Sequence, residues 1–259
     1  MKTKKQSFTD ILHQFEHHYD VRTVFDDFLT MTICAFGQKL GTGKSYDEDF
    51  YLETIAKYKD NTLRNEFPKL LACLTNEMTQ RLDSGEGWDV LGEYYELHLP
   101  SKGLSQFFTP WTICKFMAQS ACEAARENKE NGNRPLRILD PSCGSGRMLM
   151  AASRVGGAMQ EYYGIDIDPT CVKMTTLNLF LSGLFRTETM WGNALARDDF
   201  RSSYVTSFLP FGLFRIQQKE QSKLWHILQN TWTANEPISP EPPNLNPIKY
   251  SGGSQLSIF

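Results

Sequence analysis

The sequence predicts an α/β protein in which a helical N-terminal lobe precedes a doubly wound sheet. An apolar stripe at helical spacing runs through the early residues, without the alternation that is typical of strands. The stretch 137–147 then passes from a short apolar strand through a glycine-containing turn into an apolar helix. A second strand-and-turn signal follows at 162–169. Strands that alternate with helices in this way are typical of a parallel sheet.

The N-terminal lobe, which we expect over residues 1–100, is predicted to consist of helices. One apolar stripe contains Ile11, Phe15, Tyr19, Val24, Phe28, Met31 and Ala35. Residues 54–57 and 70–82 predict two further helices, with Pro68 near the start of the second. His13 and His17 are four residues apart, but no further ligand cluster accompanies them. We therefore favour a solvated helix face over a metal site.

Gly41-Thr-Gly-Lys-Ser45 has some similarity to a phosphate-binding loop. The first glycine of that motif would fall at position 38, which is Gln38, and an acidic stretch follows where a helix should start. A nucleotide-binding role for this segment is therefore disfavoured.

The turn after the first strand of the α/β region carries the sharpest functional signal. Asp140 ends the strand, and Gly144 and Gly146 follow it. Glycines let the backbone approach a ligand, the following helix presents free N–H groups, and a carboxylate can face a cation. This combination favours an adenosyl cofactor that carries a sulfonium and an amino acid group. Asp166 lies about 20 residues further on, at the end of the second strand, where an acidic residue takes ribose hydroxyls. Asp168 is predicted to cap the next helix.

Two other interpretations of the glycine turn remain open and are disfavoured. A nicotinamide site would need a third glycine, and Leu149 occupies that position. An ordinary strand-to-helix turn would also use glycines. The position of Asp166 relative to the turn argues against this second interpretation.

The segment Asp140-Pro-Ser-Cys-Gly-Ser-Gly146 resembles the S-adenosylmethionine loop of the adenine-N6 DNA methyltransferases, particularly the methylation subunits of type I restriction-modification systems. Three more segments resemble the family in the same order: 89–96, the Phe-Thr-Pro segment 105–110 and the strand with its turn at 187–195. Residues 111–118 are predicted to continue the Phe-Thr-Pro segment as a helix, with Pro110 in its first turn. The resemblance implies a Rossmann-like S-adenosylmethionine-dependent methyltransferase fold over residues 101–232. The cofactor-binding residues that it implies are Phe108, Thr109, Pro110, Asp140, Pro141, Ser142, Cys143, Gly144, Gly146, Asp166 and Asn193. Asn193 stands where the family usually has an aspartate near the adenine ring.

The catalytic motif that the resemblance implies is degenerate. The family has Asn-Pro-Pro followed by Phe or Tyr after its fourth strand, which supplies hydrogen-bond acceptors to the amino group of a flipped adenine and a ring to stack on it. The corresponding residues are Phe208, Leu209, Pro210 and Phe211. A phenyl ring at position 208 cannot accept a hydrogen bond from N6 of adenine. The Leu209 carbonyl, the Phe211 ring and the Asn193 amide oxygen offer partial compensation.

Loss of one preorganised acceptor typically lowers a rate by about 10² to 10³. We therefore expect methylation that is impaired, absent or dependent on partner chains. The alternative is a non-catalytic cofactor-binding accessory protein, tethered to a restriction-modification complex or to a sliding clamp. A small-molecule methyltransferase is disfavoured, because its substrate lid is normally built from the C-terminal half that is short here.

Only 52 residues, counted from Phe208, complete the chain, and residues 234–247 are rich in proline, which central strands exclude. We therefore expect the sheet to stop at its fourth strand. An open edge strand invites pairing, so the segment 211–232, a second copy or another protein should cover it.

The tail, residues 233–259, ends in a peptide that resembles the pentapeptide by which bacterial proteins dock on the DNA polymerase sliding clamp. Its residues are Gln255, Leu256, Ser257, Ile258 and Phe259. A Pro/Gly-rich linker would present this apolar peptide to a partner. The competing interpretation is an apolar terminus that docks on its own domain.

Composition limits the remaining classes of function. The chain has 259 residues, a net charge of −3 and an isoelectric point near 6.0. Without an overall basic field, DNA contacts must be local or come from partner subunits. The six cysteines contain no Cys-x-x-Cys pair, and we detect neither a signal peptide nor a membrane span. We therefore expect a cytoplasmic protein.

Overall fold

A computed structural model of the chain describes residues 6–37, 47–84, 87–99, 107–127, 135–196, 198–208, 211–234 and 257–258. The segment 41–45, which has some similarity to a phosphate loop, lies outside these residues.

The N-terminal lobe consists of helices, as predicted. They are α1 (Phe8–Leu12), α2 (Val21–Phe36), α3 (Glu48–Ile55), α4 (Asn61–Arg64), α5 (Glu66–Ser84) and α6 (Val90–His98). Short polar side chains begin several of them: Ser7 caps α1, Asp20 caps α2 and Asp89 caps α6 by accepting hydrogen bonds from first-turn N–H groups. Most of the apolar stripe is buried, with Phe15 and Phe28 in the common core, whereas Tyr19 is partly buried and Ala35 is exposed.

The α/β region contains one mixed sheet in the order β5-β4-β3-β2-β1-β6. The strands are β1 (Arg137–Asp140), β2 (Glu161–Asp166), β3 (Arg186–Gly192), β4 (Phe200–Phe208), β5 (Phe211–Ile216) and β6 (Ser257–Ile258). The remaining helices are α7 (Trp111–Glu127), α8 (Arg147–Gly156), α9 (Pro169–Leu181) and α10 (Lys223–Ala234). Strands β6, β1, β2 and β3 are parallel, whereas β4 and β5 run antiparallel to their neighbours.

The predicted connections between the parallel strands are confirmed. Helix α8 follows β1 and helix α9 follows β2, which gives the right order for a parallel sheet. Asp168 caps α9 by accepting a hydrogen bond from the Thr170 N–H at 2.8 Å, and Pro169 occupies the first turn. Both features agree with the sequence prediction.

The prediction that the sheet stops at its fourth strand is wrong. Strand β5 follows β4 through a two-residue connection and pairs with it from Ser203–Ile216 to Phe208–Phe211. The Phe and Ile side chains of 211–216 favour a strand, and the two-residue connection fixes its pairing with β4. The edge of β4 is therefore covered by part of the segment 211–232, which was one of the three occupants that we expected.

The helical lobe also packs against this hairpin. A Cβ added at Gly37, just after α2, would come within 2.5 Å of the Leu213 carbonyl oxygen in β5. A Cβ added at Gly212 would collide with the carbonyl oxygen of Phe36. The end of α2 and the start of β5 thus meet backbone to backbone. None of the described helices is both long enough and apolar enough to cross a membrane.

The other face of the sheet is covered by α10, and one buried carboxylate holds this helix in place. Glu188 of β3 accepts hydrogen bonds from the Ser203 hydroxyl (2.7 Å), the Ser222 hydroxyl (2.6 Å) and the Leu224 N–H (2.9 Å). It is 2% exposed. Leu224 packs beside it in a small apolar cluster with Ile165.

We predict that Glu188→Ala lowers the free energy of unfolding by about 2–4 kcal/mol, because it leaves three buried donors without an acceptor. Glu188→Gln is the matched control, since it keeps one carbonyl oxygen and should cost less. Urea titration followed by far-UV circular dichroism measures both values. Equal stability of Glu188→Ala and the unmodified protein would contradict the anchoring role of this carboxylate.

Candidate cofactor site

The predicted acidic residues meet at one edge of the sheet. Asp140 ends β1, Asp166 ends β2 and Asn193 follows the last residue of β3. The register pairs Asp140 with Gly164 and Asp166 with Trp191, so these neighbouring parallel strands finish close together. Ligands of open parallel sheets bind at this edge.

The glycine turn is tied directly to the second strand. Gly144 and Gly146 have φ values of +54° and +84°, which side chains with a Cβ rarely adopt. The Gly144 N–H donates to Asp166 Oδ2 at 2.8 Å, and the Asp168 N–H donates to Asp166 Oδ1 at 2.9 Å. A carboxylate has about four acceptor positions. Asp166 therefore shapes the turn and keeps acceptor capacity for a ligand.

A cavity of about 310 Å³ opens at this turn. Six of the predicted cofactor residues line it: Phe108, Thr109, Asp140, Ser142, Cys143 and Gly144. Pro110, Pro141 and Gly146 are sequence neighbours of lining residues, and Asp166 adjoins the wall through its bond to Gly144. Phe107, Met117, Ser145, Arg147 and Met148 complete the lining, and the sequence analysis did not single them out.

The Phe-Thr-Pro segment forms one wall of this cavity. The Phe108 N–H donates to Glu96 Oε1 at 2.6 Å, which fixes the segment to α6. The Phe108 ring lies against the glycine turn so closely that a Cβ at Gly144 would meet it at 2.7 Å. Helix α7 then begins at Trp111, with the Pro110 carbonyl accepting from the N–H groups of Ile113 and Cys114. The predicted helix after this proline is therefore confirmed.

Arg147 connects the same segment to the first turn of α8. Its guanidinium donates to Asp89 Oδ2 (2.9 Å), to Glu96 Oε2 (3.0 Å) and to the Thr109 carbonyl (3.2 Å). It also lies 5.6 Å from the centroid of the Phe108 ring. The nearby carboxylates raise the pKa of Arg147 despite its burial, so the guanidinium stays charged. The Arg147 guanidinium thus connects the Phe-Thr-Pro segment to α6 and to the start of α8.

Asp89 is the buried partner on which this arrangement depends. Besides Arg147, it accepts from the Ser145 hydroxyl (2.5 Å), the Asn178 amide (2.8 Å) and the Gly92 N–H (2.9 Å). A side chain at Gly92 would collide with both Asp89 and Ser145. The sequence contained one signal of this network, because an arginine at a helix N-terminus is unfavourable unless an acidic partner faces it.

The cavity is electrostatically suited to a cation. Burial raises the pKa of Asp140 to about 6, the Ser142 N–H lowers it, and the nearby Asp166 raises it further. Burial likewise raises the pKa of Asp166 above its ordinary value. A positive ligand group would favour the ionised form of both carboxyls. Cys143 packs on Gly164, and burial raises the pKa of its thiol well above the ordinary value, which leaves it unreactive.

Asn193 forms part of its own turn. Its amide oxygen accepts from the Leu195 N–H at 2.9 Å, and its backbone N–H donates to Asp199 Oδ2 at 3.1 Å. The bond from the Leu195 N–H occupies one lone pair of the Asn193 amide oxygen, which we considered as a substitute acceptor for the adenine amino group. A more prominent apolar group at this edge is Ile167, which follows Asp166 and is 54% exposed.

The structure places Phe208 and Phe211 away from the cavity. Strand β4 is antiparallel to β3, with Phe200 opposite Gly192 and Ser207 opposite Arg186. Phe208 therefore emerges at the amino edge of the parallel strands, opposite to the edge that holds Asp140. There it pairs with Phe211, and both rings lie near Phe185. Leu209 and Pro210 lie outside the described residues. The geometry thus does not bring the predicted catalytic motif to the predicted cofactor residues.

Two residues of the tail peptide lie against the domain itself. Ser257 and Ile258 form β6, which pairs in parallel with Ile138 and Leu139 of β1. Gln255, Leu256 and Phe259 lie outside the described residues. This pairing corresponds to the interpretation in which the tail docks on its own domain.

No group of three or more metal-ligating side chains occurs within the part of the chain that the structure describes. His13 lies 3.6 Å from Glu16, and both side chains are largely solvated. The six cysteines all lie within the described residues, and none of them forms a disulfide bond.

Comparison with known proteins assigns the family. The family model described as N-6 DNA methylase matches residues 86–236, more than half of the chain. The chain belongs to the N-6 DNA methylase family. The matched segment of this methylase-family chain contains Asp89, the cofactor cavity and the whole β4–β5 hairpin.

Solved structures show more distant similarity. The methyltransferase subunit of a type I restriction-modification system from Streptococcus thermophilus is 15% identical, with a TM-score of 0.33, over 70% of this chain and 55% of that one. A putative class I S-adenosylmethionine-dependent methyltransferase from Listeria monocytogenes is 13% identical, with a TM-score of 0.36, over 70% of this chain and 51% of that one. The chain thus spans about half the length of these proteins. At these TM-scores, the family assignment rests on the matched segment alone.

We predict that Asp89→Asn destabilises the protein by about 3–5 kcal/mol, because it leaves the buried Arg147 guanidinium without its closest charge. The matched control is Glu93→Gln in α6, the helix that Asp89 caps. It removes a partly exposed ion pair with Arg81 of α5 and should cost about 1 kcal/mol or less. Urea unfolding measures both. A cost for Asp89→Asn no larger than that of the control would show that this network does not join the lobe to the glycine turn.

Proposed function

We propose that this chain binds S-adenosylmethionine and serves in the adenine-N6 methylation of DNA. The observation that carries the proposal is the cavity formed by the glycine turn, Asp140 and the Phe-Thr-Pro segment, with Asp166 bonded to the Gly144 N–H behind it. Membership of the N-6 DNA methylase family supports the reaction class.

The residues present fit this cofactor in size and in charge. A volume of about 310 Å³ is at the lower end of the range for ligands of this size. The buried Asp140 carboxyl, whose pKa is raised, gains from a cationic neighbour such as the amino group or the sulfonium. Asp166 keeps acceptor positions for ribose hydroxyls, and the exposed Ile167 offers an apolar face to the adenine ring.

When bound, the cofactor supplies an electrophilic methyl group on its sulfonium. The chain's own residues bind and orient it: Glu96 and Arg147 hold Phe108 in the cavity wall, and Gly144 permits the close approach of backbone and ring. Such preorganisation lowers the cost of positioning the methyl group for transfer.

Phe208 and Phe211 lie at the edge of the sheet opposite to Asp140 and Asp166. Other residues must therefore supply the hydrogen-bond acceptors for the amino group of adenine. We therefore propose that methyl transfer depends on a partner chain, which also supplies sequence reading and most of the DNA contact. A net charge of −3 supports this dependence. The same placement of Phe208 favours a second candidate, an accessory protein that binds the cofactor without transferring its methyl group.

A docking role of residues 255–259 on the sliding clamp remains a separate proposal. It needs the tail to leave β1, because a peptide paired as β6 cannot at the same time extend into another protein's groove.

Calorimetric titration with S-adenosylmethionine, followed by transfer of a radiolabelled methyl group to DNA, tests the proposed function. We expect binding that is lost in Gly144→Ala, where the new Cβ would meet the Phe108 ring, and retained in Phe208→Ala, the control at the far edge. Binding without transfer by the isolated chain selects partner dependence or the accessory role. Absence of binding by the unmodified protein overturns the proposal.

We predict that the affinity for S-adenosylmethionine decreases as the pH is lowered. Because the pKa of Asp140 is raised to about 6, its carboxyl is protonated below that pH and no longer attracts a cation. The dissociation constant should therefore be about tenfold higher at pH 5 than at pH 7, following the protonated fraction. Asp140→Asn should bind weakly with little pH dependence, whereas Asp198→Asn, which alters an exposed carboxyl, should behave like the unmodified protein. An Asp140→Asn variant with an unchanged pH profile would contradict this assignment.

A further inference from the structure

The outer edge of β1 is covered by a very short strand. Strand β1 pairs with β2 over four residues, Arg137 to Asp140, but with β6 over two, Ile138 and Leu139. Among the described residues, 257–258 are the ones that pair with this edge. Ile138 and Leu139 are buried, so β1 is an inner strand whose second neighbour comes from a remote part of the sequence.

A helix borders the edge of β1 on which β6 lies. Helix α7 contacts β6 and flanks this edge of the sheet. A strand edge without a full-length neighbour is the arrangement that binds added strands, through main-chain hydrogen bonds and contacts with alternate side chains.

We propose that the edge of β1 is a strand-acceptor site whose ligand is the tail of this chain, and that the tail is a displaceable strand that tightens the cofactor cavity. The occupant is the segment 255–259, because its residues Ser257 and Ile258 already lie in register on the edge. A pairing of two residues is short enough to open while the four-residue pairing with β2 persists.

The position of the tail connects it to Asp140. Ile258 pairs with Leu139, and the next residue of β1 is Asp140 in the cavity wall. Departure of the tail removes the main-chain partner immediately before this carboxylate. The end of β1 then becomes more mobile. A ligand that binds must order it again, and this entropic cost lowers the affinity. A partner that captures the tail peptide therefore loosens the cofactor cavity at the same time.

Residue-resolved hydrogen exchange by NMR tests the pairing. Successive residues of a parallel strand direct their N–H groups to alternate neighbours. Deletion of residues 251–259 should therefore accelerate exchange by about tenfold at the β1 amides that face the tail and leave those that face β2 protected. A synthetic peptide of residues 251–259, added to the shortened chain, should restore protection. Unchanged exchange after the deletion, or an added peptide without effect, overturns the proposal.

A pair of full-length variants separates main-chain pairing from side-chain packing. Ser257→Pro/Ile258→Pro removes the N–H donors and should reproduce the deletion, whereas Ser257→Ala/Ile258→Ala keeps them and should retain protection. These variants also keep the test decisive should the shortened chain fail to fold. Equal exchange in the two variants contradicts pairing through the main chain.

The effect on the cavity is measured by calorimetric titration with S-adenosylmethionine, and this arm rests on the proposed function. We expect about a threefold to tenfold weaker affinity in the proline variant than in the alanine variant, because one end of the cavity wall must be ordered on binding. Equal affinities would overturn the coupling. If no variant binds the cofactor, the proposed function fails, and the exchange result alone decides whether the tail is the strand of this edge.

Discussion

The buried carboxylate of Asp89 is the interaction on which the site depends. It receives donors from its own helix, from the glycine turn, from α8 and from α9, so four elements converge on one anion. A buried charge is tolerated only when it is paired and fully hydrogen-bonded. The lobe can therefore dock on the sheet in one arrangement, and that arrangement places Glu96 and Arg147 where they hold Phe108 against the turn.

The sheet has a parallel half and an antiparallel half, which carry different groups of predicted site residues. In the parallel half, β1, β2 and β3 finish at one edge and bring Asp140 and Asp166 together. In the antiparallel half, β4 returns across the sheet and carries Phe208 to the other edge. Six of the predicted cofactor residues thus line one cavity, whereas Phe208 and Phe211, which resemble part of a catalytic motif, take part in a hairpin. This division is why binding of the cofactor and transfer of its methyl group are separate questions for this chain.

Sequence reasoning predicted the parts of the structure that depend on short-range patterns. The glycine turn, the Asp168 cap and the helix after Pro110 are each determined by residues within a few positions of one another. The Asp89 network could not be found in this way, because its partners are 56, 58 and 89 residues away. The direction of β4 was missed for a related reason. A strand pattern gives the alternation of side chains but not the neighbour beside which the strand lies. The connection 193–199 is too short for a parallel crossover, so β4 pairs antiparallel with β3.

The backbone contact between Gly37 and Leu213 has a consequence for biosynthesis. Helix α2 leaves the ribosome long before β5, yet the end of α2 gains its last neighbour only when the hairpin has been made. Contacts between such distant parts of a chain form slowly, since a long loop must close first. The end of α2 therefore stays exposed to solvent during translation until β5 has been synthesised. Full burial of the lobe comes late, after the final strands of the hairpin have joined the sheet.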